Sequence, residues 1–363
     1  EYGTVLDPEL VAYHARELAR VRAHNEAVGA SWTAGPTGLV RYSEEELAGM
    51  LGLRFSEPEQ RRAAQLRGEA RTGTQLRGEA RVGEYDTGLL RPLREDLPET
   101  FSWYPGGVTG IRDQGNCGSC WDFAALAALE AVIRIYGGEI FHLSEQQILS
   151  CATPGWGCNG GNAAIAWGHV RDHGSVSNAC MFYRADHNYP CEEDECEPIA
   201  AVEELIDIPS NDDAIKAAVD EYGPVTTGFT VYSDFYQYTD GCYEREGTAP
   251  VNHLIAIIGW DDTACDGEGA WEIKNSWGMG WGINGRGFVR YGACNIGKHT
   301  QQVFYYPATD LEWVATDVED DVTGDGDAWL DPDETAGLSV QIRNGILAEA
   351  KTGIAGVLSS PSP

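Results

Sequence analysis

Lysine and positive charge are scarce in this chain. Only four of its 363 residues are lysine, and 25 basic side chains stand against 57 acidic ones, which gives a formal net charge of −32. A surface of that sign repels nucleic-acid phosphates and anionic lipid headgroups. The composition therefore argues against nucleic acid or a membrane surface as a partner.

Long apolar runs are also missing. No stretch approaches the roughly 18 to 20 apolar residues that a membrane-spanning helix needs, so no membrane span is expected. Hydrophobic residues nevertheless make up 42% of the chain and aromatic residues 10%. This composition supports packed cores and excludes wholesale disorder, and the length allows two or three globular units.

Cysteine is absent from the first 116 and the last 69 residues. Only one pair has the Cys-x-x-Cys spacing of a zinc knuckle, so disulfides are favoured over zinc ligation. Disulfides persist in oxidising compartments, which predicts a secreted or cell-surface protein. The ten cysteines are Cys117, Cys120, Cys151, Cys158, Cys180, Cys191, Cys196, Cys242, Cys265 and Cys294.

The first 96 residues contain helix signals followed by a spacer. Asp7 is an N-cap followed by Pro8, and this pair predicts a helix over about 8–28. Ser43 and Glu46 form a capping box for a short second helix, which Gly52 would close. The motif Gln-Leu-Arg-Gly-Glu-Ala-Arg occurs at 65–71 and again at 75–81. It is too short for a repeat fold, so we interpret the region as a mobile, protease-accessible spacer.

The region from residue 97 to 307 carries every cysteine. Its pattern predicts helices that start at Cys120 and at Ser144, whose hydroxyl can cap the helix. We predict an α+β fold with a helical lobe over 97–205 and a β lobe over 206–307, which face each other across a cleft. The β-rich stretches that predict strands lie at 225–231, 254–260, 270–274 and 287–291.

Residues 308–363 predict a third, β-rich unit. Alternating stretches at 338–342 and 354–358 are typical of the opening of a β-sandwich-like module, and the remaining chain is too short for a whole sandwich of roughly 100 residues. An acidic loop precedes them, with oxygen ligands that suit Ca²⁺ but without the spacing of an EF-hand. A solvated acidic turn explains it equally well, so no metal ligand and no cofactor is assigned to Asp325, Asp327, Asp331 and Glu334.

The strongest chemical signal is Gln114-Gly-Asn-Cys-Gly-Ser-Cys-Trp121, which opens a predicted helix. His253 and Asn275 follow much later, in Val-Asn-His-Leu-Ile-Ala and Lys-Asn-Ser-Trp-Gly. Taken in order, these motifs resemble the papain family of cysteine peptidases, in its cathepsin B-like and cathepsin L-like branches. The resemblance covers about 97–307 and includes three more stretches, Leu143–Gln146, Gly157–Gly161 and Trp277–Gly287.

The resemblance implies a two-lobe fold with a β-barrel-like right lobe, and a cysteine nucleophile. A thiol of pKa about 8.5 is mostly protonated at neutral pH, but a helix N-terminus and an imidazolium both favour its anion. Cys120 begins a helix, and His253 would supply the imidazolium and then protonate the leaving amine. Asn275 would orient the ring, and Trp277 would shield their hydrogen bond. Gln114 would stabilise the oxyanion together with the Cys120 backbone N–H.

The resemblance also implies a disulfide pattern. If Cys120 is the nucleophile, nine cysteines remain, so at least one more is free or bonds to another chain. The implied bonds are Cys117–Cys158, Cys151 with either Cys191 or Cys196, and Cys242–Cys294, with Cys180 and Cys265 unplaced.

The substrate cleft is implied by further matching positions. Gly160 and Gly161 would edge it and pair through their backbone with an extended peptide. The pocket for the second substrate residue would be roomy and apolar, which predicts a preference for bulky hydrophobic residues over arginine. Its lining residues would be Ala163, Gly228, Leu254 and His299.

The loop at 186–191 bears on the mode of cleavage. Carboxydipeptidase action in cathepsin B, which the chain resembles at 31–35 and 111–114, uses a loop with two adjacent histidines, whereas this short loop contains only His187. Endopeptidase action is therefore favoured.

Asp122 departs from the family pattern, in which a small residue follows the Cys-Trp pair. A carboxylate close to a thiolate would raise the pKa of the thiol. Two positions at about 100° per residue place Asp122 nearly opposite Cys120 on the helix, so we predict normal activity.

The first 96 residues resemble a family pro-segment at Trp32 and over Tyr42–Glu46. This similarity implies an autoinhibitory segment that lies in the cleft. The prediction is a secreted, monomeric cysteine endopeptidase in precursor form that acts on peptides or proteins. Two alternatives stay open, namely a catalytically silent surface or adhesion protein on a protease scaffold and a Cys-His acyltransferase. The four catalytic residues argue against the first, and Gln114 has no role in the second.

Overall fold

The computed structural model describes residues 7–55, 97–152, 155–306, 311–319 and 337–344. The duplicated motif at 65–71 and 75–81 lies outside the described residues, as does the acidic loop at 325–334. The interpretations placed on these two regions therefore stay predictions.

The helices begin where the capping signals predict. Asp7 accepts a hydrogen bond from the Glu9 backbone N–H at 2.8 Å. Ser43 and Glu46 form the predicted capping box, and the Ser144 hydroxyl caps its helix. No helix within the described ranges is both long and apolar enough to cross a membrane. The helices are α1 Pro8–Val28, α2 Glu44–Gly49, α3 Cys120–Gly137, α4 Glu145–Cys151, α5 Ala163–His173, α6 Asp212–Tyr222 and the single turn α7 Ala264–Gly267.

The end of α2 differs from the prediction. The helix ends at Gly49, and Met50 is its C-cap residue in a right-handed conformation. Gly52 lies beyond the helix and packs against the backbone of Gly118, where a Cβ on residue 52 would lie 1.8 Å from the Gly118 carbonyl oxygen. Close approach of two backbones, and not helix capping, accounts for this glycine.

Within the described residues, the strands form one large, mostly antiparallel sheet and a separate two-stranded sheet of β11 and β12. The four predicted strand regions are confirmed as β5, β7, β8 and β9. The strands are β1 Trp32–Ala34, β2 Thr100–Ser102, β3 Ser175–Val176, β4 Pro198–Ile208, β5 Val225–Phe229, β6 Tyr238–Tyr243, β7 His253–Asp261, β8 Ala270–Lys274, β9 Arg286–Arg290, β10 Lys298–Tyr306, β11 Leu311–Glu319 and β12 Gly337–Asn344.

The large sheet is open. Its strand order is β1-β6-β9-β8-β7-β5-β10-β4-β3, with β2 paired to β7. The two ends of this order do not pair, so the right lobe is an open sheet and not a closed barrel. The α+β class is confirmed, because the helices of the first lobe pack beside this sheet instead of alternating with its strands.

Buried side chains form two main cores. One lies among α3, α4 and α5 and includes Leu129 and Trp167. The other lies on the sheet and α6 and includes Trp271 and Trp281. Helix α3 packs against β7, so the two lobes meet there. This contact brings the N-terminal residue of α3, Cys120, to the side of the sheet on which β7 begins.

Four disulfides join eight of the ten cysteines, and Cys120 and Cys294 are free. The expected Cys242–Cys294 bond is wrong. The turn α7 packs against β6 and brings Cys265 to a Cα–Cα distance of 5.5 Å from Cys242. Two implied bonds are confirmed: Cys117 bonds to Cys158, and Cys151 bonds to Cys191 and not to Cys196. The full set is Cys117–Cys158, Cys151–Cys191, Cys180–Cys196 and Cys242–Cys265.

The N-terminal segment, residues 7–55, docks on the β lobe. Strand β1 pairs antiparallel with β6, which adds a strand to the sheet edge. The ring of Trp32 lies 5.0 Å from that of Tyr243 and is buried. The Thr37 hydroxyl donates to the Tyr236 carbonyl oxygen at 2.9 Å. These contacts fix the segment on the β lobe before it turns, through α2, toward the N-terminus of α3.

Candidate active site

Cys120 is the first residue of α3 and is fully buried. The preceding loop is held by the Cys117–Cys158 disulfide and by the Gly118 N–H, which donates to the Cys158 carbonyl oxygen at 3.0 Å. Backbone N–H groups at the start of a helix favour a nearby anion. The sequence therefore places this thiol where a thiolate can be stabilised.

His253, the first residue of β7, forms a buried pair with Asn275. His253 Nε2 lies 2.9 Å from Asn275 Oδ1. The indole of Trp277 covers the pair, with its ring centroid 4.8 Å from that of His253. Asn275 Oδ1 also accepts the Ser276 backbone N–H at 2.8 Å, which fixes the amide orientation. The other ring nitrogen, His253 Nδ1, is buried without a hydrogen-bond partner.

Burial disfavours the charged forms of both the Cys120 thiol and the His253 imidazole. Burial raises the pKa of Cys120 to about 11, although the backbone N–H groups of Leu254 and Gly52 oppose that rise. Burial also lowers the pKa of His253 to about 4, and the hydrogen bond to Asn275 opposes that fall. Desolvation penalises both charged forms, so burial under the N-terminal segment disfavours the predicted ion pair, which stays a prediction.

Gln114 connects the candidate site to the N-terminal segment. Its Nε2 donates to the Met50 carbonyl oxygen at 2.9 Å and to the Cys117 carbonyl oxygen at 2.8 Å. Its Oε1 accepts the Ser276 hydroxyl at 2.6 Å. A backbone carbonyl oxygen of the N-terminal segment thus binds the side-chain amide that is predicted to stabilise the oxyanion.

Residues 52–54 lie along Gly160 and Gly161, the predicted edge of the cleft. The Gly161 N–H donates to the Gly52 carbonyl oxygen and the Arg54 N–H donates to the Gly161 carbonyl oxygen, both at 2.8 Å. These two bonds make a parallel bridge between Leu53 and Gly161. A side chain at 161 is excluded, since its Cβ would lie 2.6 Å from the Trp121 ring. Gly160 lies next to the same stretch, with the Gly52 carbonyl oxygen 2.5 Å from where its Cβ would be.

Leu53 lies beside Gly228, one of the residues predicted to line the substrate pocket. Its side chain is buried in the same apolar cluster as Ala163 and Leu254. A Cβ on Gly228 would lie 3.5 Å from Leu53 Cδ2, so the absence of a side chain at 228 leaves room for the leucine. At the next position but one, the Phe55 ring stacks on His299 at 4.0 Å.

The sequence did not predict that Met50, Gly52 and Leu53 contact the candidate site. The helix-capping interpretation used Gly52 as a local signal, although its requirement for glycine arises from Gly118 in a distant part of the chain. The sequence signal for these residues was Leu53, an apolar residue that directly follows a glycine just beyond a short capped helix.

Asp122 is fully buried, and neither of its carboxylate oxygens has a hydrogen-bond partner. Burial holds the pKa of this carboxyl well above its usual value, the nearby Glu145 raises it further, and Arg112 opposes the rise. Burial is the main cause of the raised Cys120 pKa, which is consistent with the predicted separation between Asp122 and the thiol. Normal activity stays a prediction.

Replacing Asp122 with alanine is expected to stabilise the protein at neutral pH. A raised folded-state pKa means that the contribution of the carboxyl to stability is greatest below its unfolded pKa and is lost as the pH rises. At pH 7 we expect Asp122→Ala to increase the free energy of unfolding by about 1–3 kcal/mol, because it removes an unpaired buried group. Urea unfolding of the Cys120→Ala chain, with and without this change, measures the difference.

The exposed Asp172 on α5 provides the control. Its pKa is lowered by Arg171, and the pair lies on the surface. Asp172→Ala should change stability by less than about 1 kcal/mol at any pH. If Asp122→Ala destabilises the fold at pH 7 as much as at pH 4, the Asp122 carboxyl has a partner and the assignment is wrong.

Comparison with known proteins identifies the architecture. The family described as papain family cysteine protease matches residues 97–305, more than half of the chain. The chain belongs to the papain family of cysteine proteases. The solved bromelain protease from Ananas comosus, in complex with the E64 inhibitor, is 30% identical, with 57% of this chain and 99% of that chain covered and a TM-score of 0.53.

Among curated papain-family proteins, cathepsin S of Bos taurus is 33% identical over 212 residues, which cover 56% of this chain and 62% of the relative. The senescence-specific cysteine protease SAG12 of Arabidopsis thaliana is 33% identical over 192 residues, 52% of this chain and 55% of the relative. The match therefore spans less than two thirds of each of these relatives.

The fold shared with a solved precursor extends beyond the peptidase region. Procathepsin L 3 from the larval midgut of Tenebrio molitor has a TM-score of 0.64 at 21% identity, with 83% of this chain and 94% of that chain covered. This papain-family chain therefore has the fold of a family precursor, which includes an N-terminal segment.

Proposed function

We propose that this chain is the precursor of a secreted, monomeric cysteine endopeptidase, in which Cys120 attacks peptide bonds and residues 1–96 inhibit the enzyme. Residues 97–307 would form the peptidase domain, with lobes over 97–205 and 206–307, and residues 308–363 a C-terminal module. The observation that carries the proposal is the coverage of Cys120 and Gln114 by Met50–Arg54. A segment that occupies a nucleophile and its oxyanion donor is the arrangement expected of an autoinhibited protease.

Removal of the N-terminal segment would switch the charge state of the site. Solvent would reach Cys120 and His253, so the desolvation penalty that keeps both neutral would fall. The helix N-terminus and the imidazolium would then stabilise the thiolate, and the thiolate would stabilise the imidazolium. Asn275 would keep the ring oriented through its bond to Nε2.

Peptide hydrolysis would follow by acyl transfer. The Cys120 thiolate attacks the carbonyl carbon, and the oxyanion takes the place at Gln114 Nε2 that the Met50 carbonyl oxygen now holds. His253 donates its proton to the leaving amine, which breaks the peptide bond and leaves a thioester. His253 then accepts a proton from water, whose attack on the thioester releases the acid product and restores the Cys120 thiolate and the His253 imidazolium.

Acid is expected to loosen the inhibitory segment. The Ser43 backbone N–H donates to Glu46, and this bond lowers the pKa of Glu46 below its usual value. The contribution of this capping box to stability is present above that usual value and is lost as the pH falls through the lowered pKa. Acidification therefore weakens α2, the element that leads into the cleft.

An acidification time course followed by mass tests the proposed function. Wild-type chain should convert to a shorter form by cleavage in the spacer before Leu97, whereas Cys120→Ala should stay intact. Conversion of Cys120→Ala at the wild-type rate would show that Cys120 is not the nucleophile of processing.

Leu53 supports an apolar preference at the second substrate residue. This leucine is buried in the same apolar cluster as Ala163 and Leu254 and lies next to Gly228, which supports the assignment of these residues to the pocket. Fluorogenic substrates with leucine or phenylalanine at that position should be cleaved at least about tenfold more efficiently than those with arginine, since a charged head group would be buried unpaired. Equal kcat/KM values would contradict this pocket assignment. Comparison of internally quenched peptides with substrates that release a C-terminal dipeptide tests endopeptidase action in the same assay.

A further inference from the structure

We propose that Asp113 selects substrates that carry arginine or lysine among the first three residues after the scissile bond. In the precursor its carboxylate forms a salt bridge with Arg41 of the N-terminal segment. The inference rests on the proposed function, because it names a class of substrate for the same site. It adds a charge preference on the leaving-group side of Cys120, opposite the apolar pocket.

Asp113 lies beside the proposed oxyanion donor. It directly precedes Gln114 in the chain, so their two Cα atoms are about 3.8 Å apart. Its backbone forms an antiparallel bridge with Trp277, whose ring covers His253. An extended peptide advances about 3.3–3.6 Å per residue, so a long side chain within three residues of a bond held at Gln114 can reach the carboxylate.

The course of the N-terminal segment indicates which side of the site this is. Arg41 pairs with Asp113 at one end of the crossing. Further along the segment, the Met50 carbonyl oxygen accepts a hydrogen bond from Gln114, and Leu53 then lies beside the residues assigned to the apolar pocket. That pocket is assigned to the second substrate residue before the scissile bond. Asp113 therefore faces the residues that leave with the amine.

One oxygen of the Asp113 carboxylate is fixed and the other accepts the cation. Oδ1 accepts the Gly115 backbone N–H at 2.9 Å, which orients the side chain. Oδ2 accepts the Arg41 guanidinium. A Cβ on residue 278 would lie 2.9 Å from this Oδ2, so Gly278 keeps the oxygen accessible. Departure of the segment thus frees an oriented acceptor that suits a guanidinium or an ammonium group.

The neighbouring cation does not neutralise this carboxylate. Arg112 pairs instead with Glu130 at 2.8 Å and with Glu145 at 2.5 Å, and both of these acids are buried. Asp113 therefore presents a negative charge to the cleft. The net charge of −32 also attracts basic peptides to the whole surface, so the test must separate the local charge from the overall field.

Internally quenched peptides test the proposal on enzyme freed of its N-terminal segment, in about 0.15 M salt. Each peptide has leucine as the second residue before the scissile bond, and either arginine or its neutral isostere citrulline at the first, second or third position after it. At one or more of these positions, kcat/KM should be about two- to fivefold higher with arginine, the range that an exposed ion pair supplies. Asp113→Asn, which can keep the hydrogen bond to Gly115, should bring this ratio close to one.

Asp240→Asn is the matched control. Asp240 is exposed on β6, and its Oδ1 likewise accepts a backbone N–H, that of Gly241 at 2.8 Å. This variant removes the same charge elsewhere on the surface, so it should keep the wild-type ratio of arginine to citrulline. A coumarin substrate without residues after the scissile bond checks that each variant is folded, and its kcat/KM should not change.

The outcomes separate this inference from the proposed function. If the coumarin substrate is cleaved but arginine gives no advantage at any position, the inference is overturned and the proposed function stands. The same holds if Asp113→Asn and Asp240→Asn have equal ratios of arginine to citrulline. If none of the substrates is cleaved, both the proposed function and the inference that rests on it are overturned.

Discussion

Cys120→Ala is expected to abolish peptide hydrolysis by the activated enzyme. Loss of the nucleophile in an enzyme that works by acyl transfer typically costs about 10⁶-fold in kcat, because the remaining groups cannot form the covalent intermediate. Steady-state assays on a fluorogenic peptide, with enzyme freed of its N-terminal segment by an added protease, measure the loss. This route of preparation makes the assay independent of self-processing.

Cys294→Ala is the matched control, because Cys294 is the other free and buried thiol of the chain. Its sulfur contacts the Arg245 carbonyl oxygen at 3.5 Å, in the β lobe. This variant should keep kcat within about a factor of two of wild type, at the cost of a small loss of packing. If instead Cys294→Ala lost activity and Cys120→Ala kept it, the nucleophile would be misassigned.

Gly52→Ala is expected to open the precursor. A Cβ at this position would lie 1.8 Å from the Gly118 carbonyl oxygen and 2.9 Å from the Gly118 Cα, and neither backbone can yield without moving the loop before Cys120. Overpacking of this kind costs about 1–3 kcal/mol, which corresponds to a roughly fivefold to 150-fold larger uncovered fraction. The rate at which an epoxide thiol inhibitor labels Cys120 in the uncleaved chain, read by intact mass, should rise by that factor.

Gly49→Ala is the control for this measurement. Gly49 is the last residue of α2, and a Cβ there would lie no closer than 3.8 Å to another heavy atom, the Asn116 carbonyl oxygen. The labelling rate of Gly49→Ala should therefore match that of wild type. Equal rates for Gly52→Ala and Gly49→Ala would mean that residues 50–54 do not control access to Cys120.

Local chemistry made the candidate site predictable. The Cys-Gly-Ser-Cys-Trp motif needs a helix N-terminus, and Cys120 begins α3. The capping residues Asp7, Ser43 and Ser144 act on backbone groups only two or three residues away, so their helices were predicted correctly. Hydrogen bonding of His253 to Asn275 brings together residues that the motifs had already named.

Tertiary contacts set the features that the sequence did not reveal. Cys242 pairs with Cys265 because the turn α7 packs on β6, and no local pattern marks that contact. Strand β10 lies between β4 and β5 in the sheet. It was not predicted, because its buried side chains include the polar residues Thr300 and Gln302. The requirement for glycine at Gly52 likewise comes from a distant segment.

The pH dependence of Cys120 alkylation would show whether His253 keeps the Cys120 sulfur ionised once the N-terminal segment has left. Alkylation rates would be measured from pH 4 to 9 on activated enzyme and on activated His253→Ala. Wild-type Cys120 should stay reactive well below an ordinary thiol pKa of about 8.5, whereas in His253→Ala the reactivity should fall much closer to that value. A wild-type profile that falls near pH 8.5 and coincides with that of His253→Ala would show that His253 does not keep Cys120 ionised.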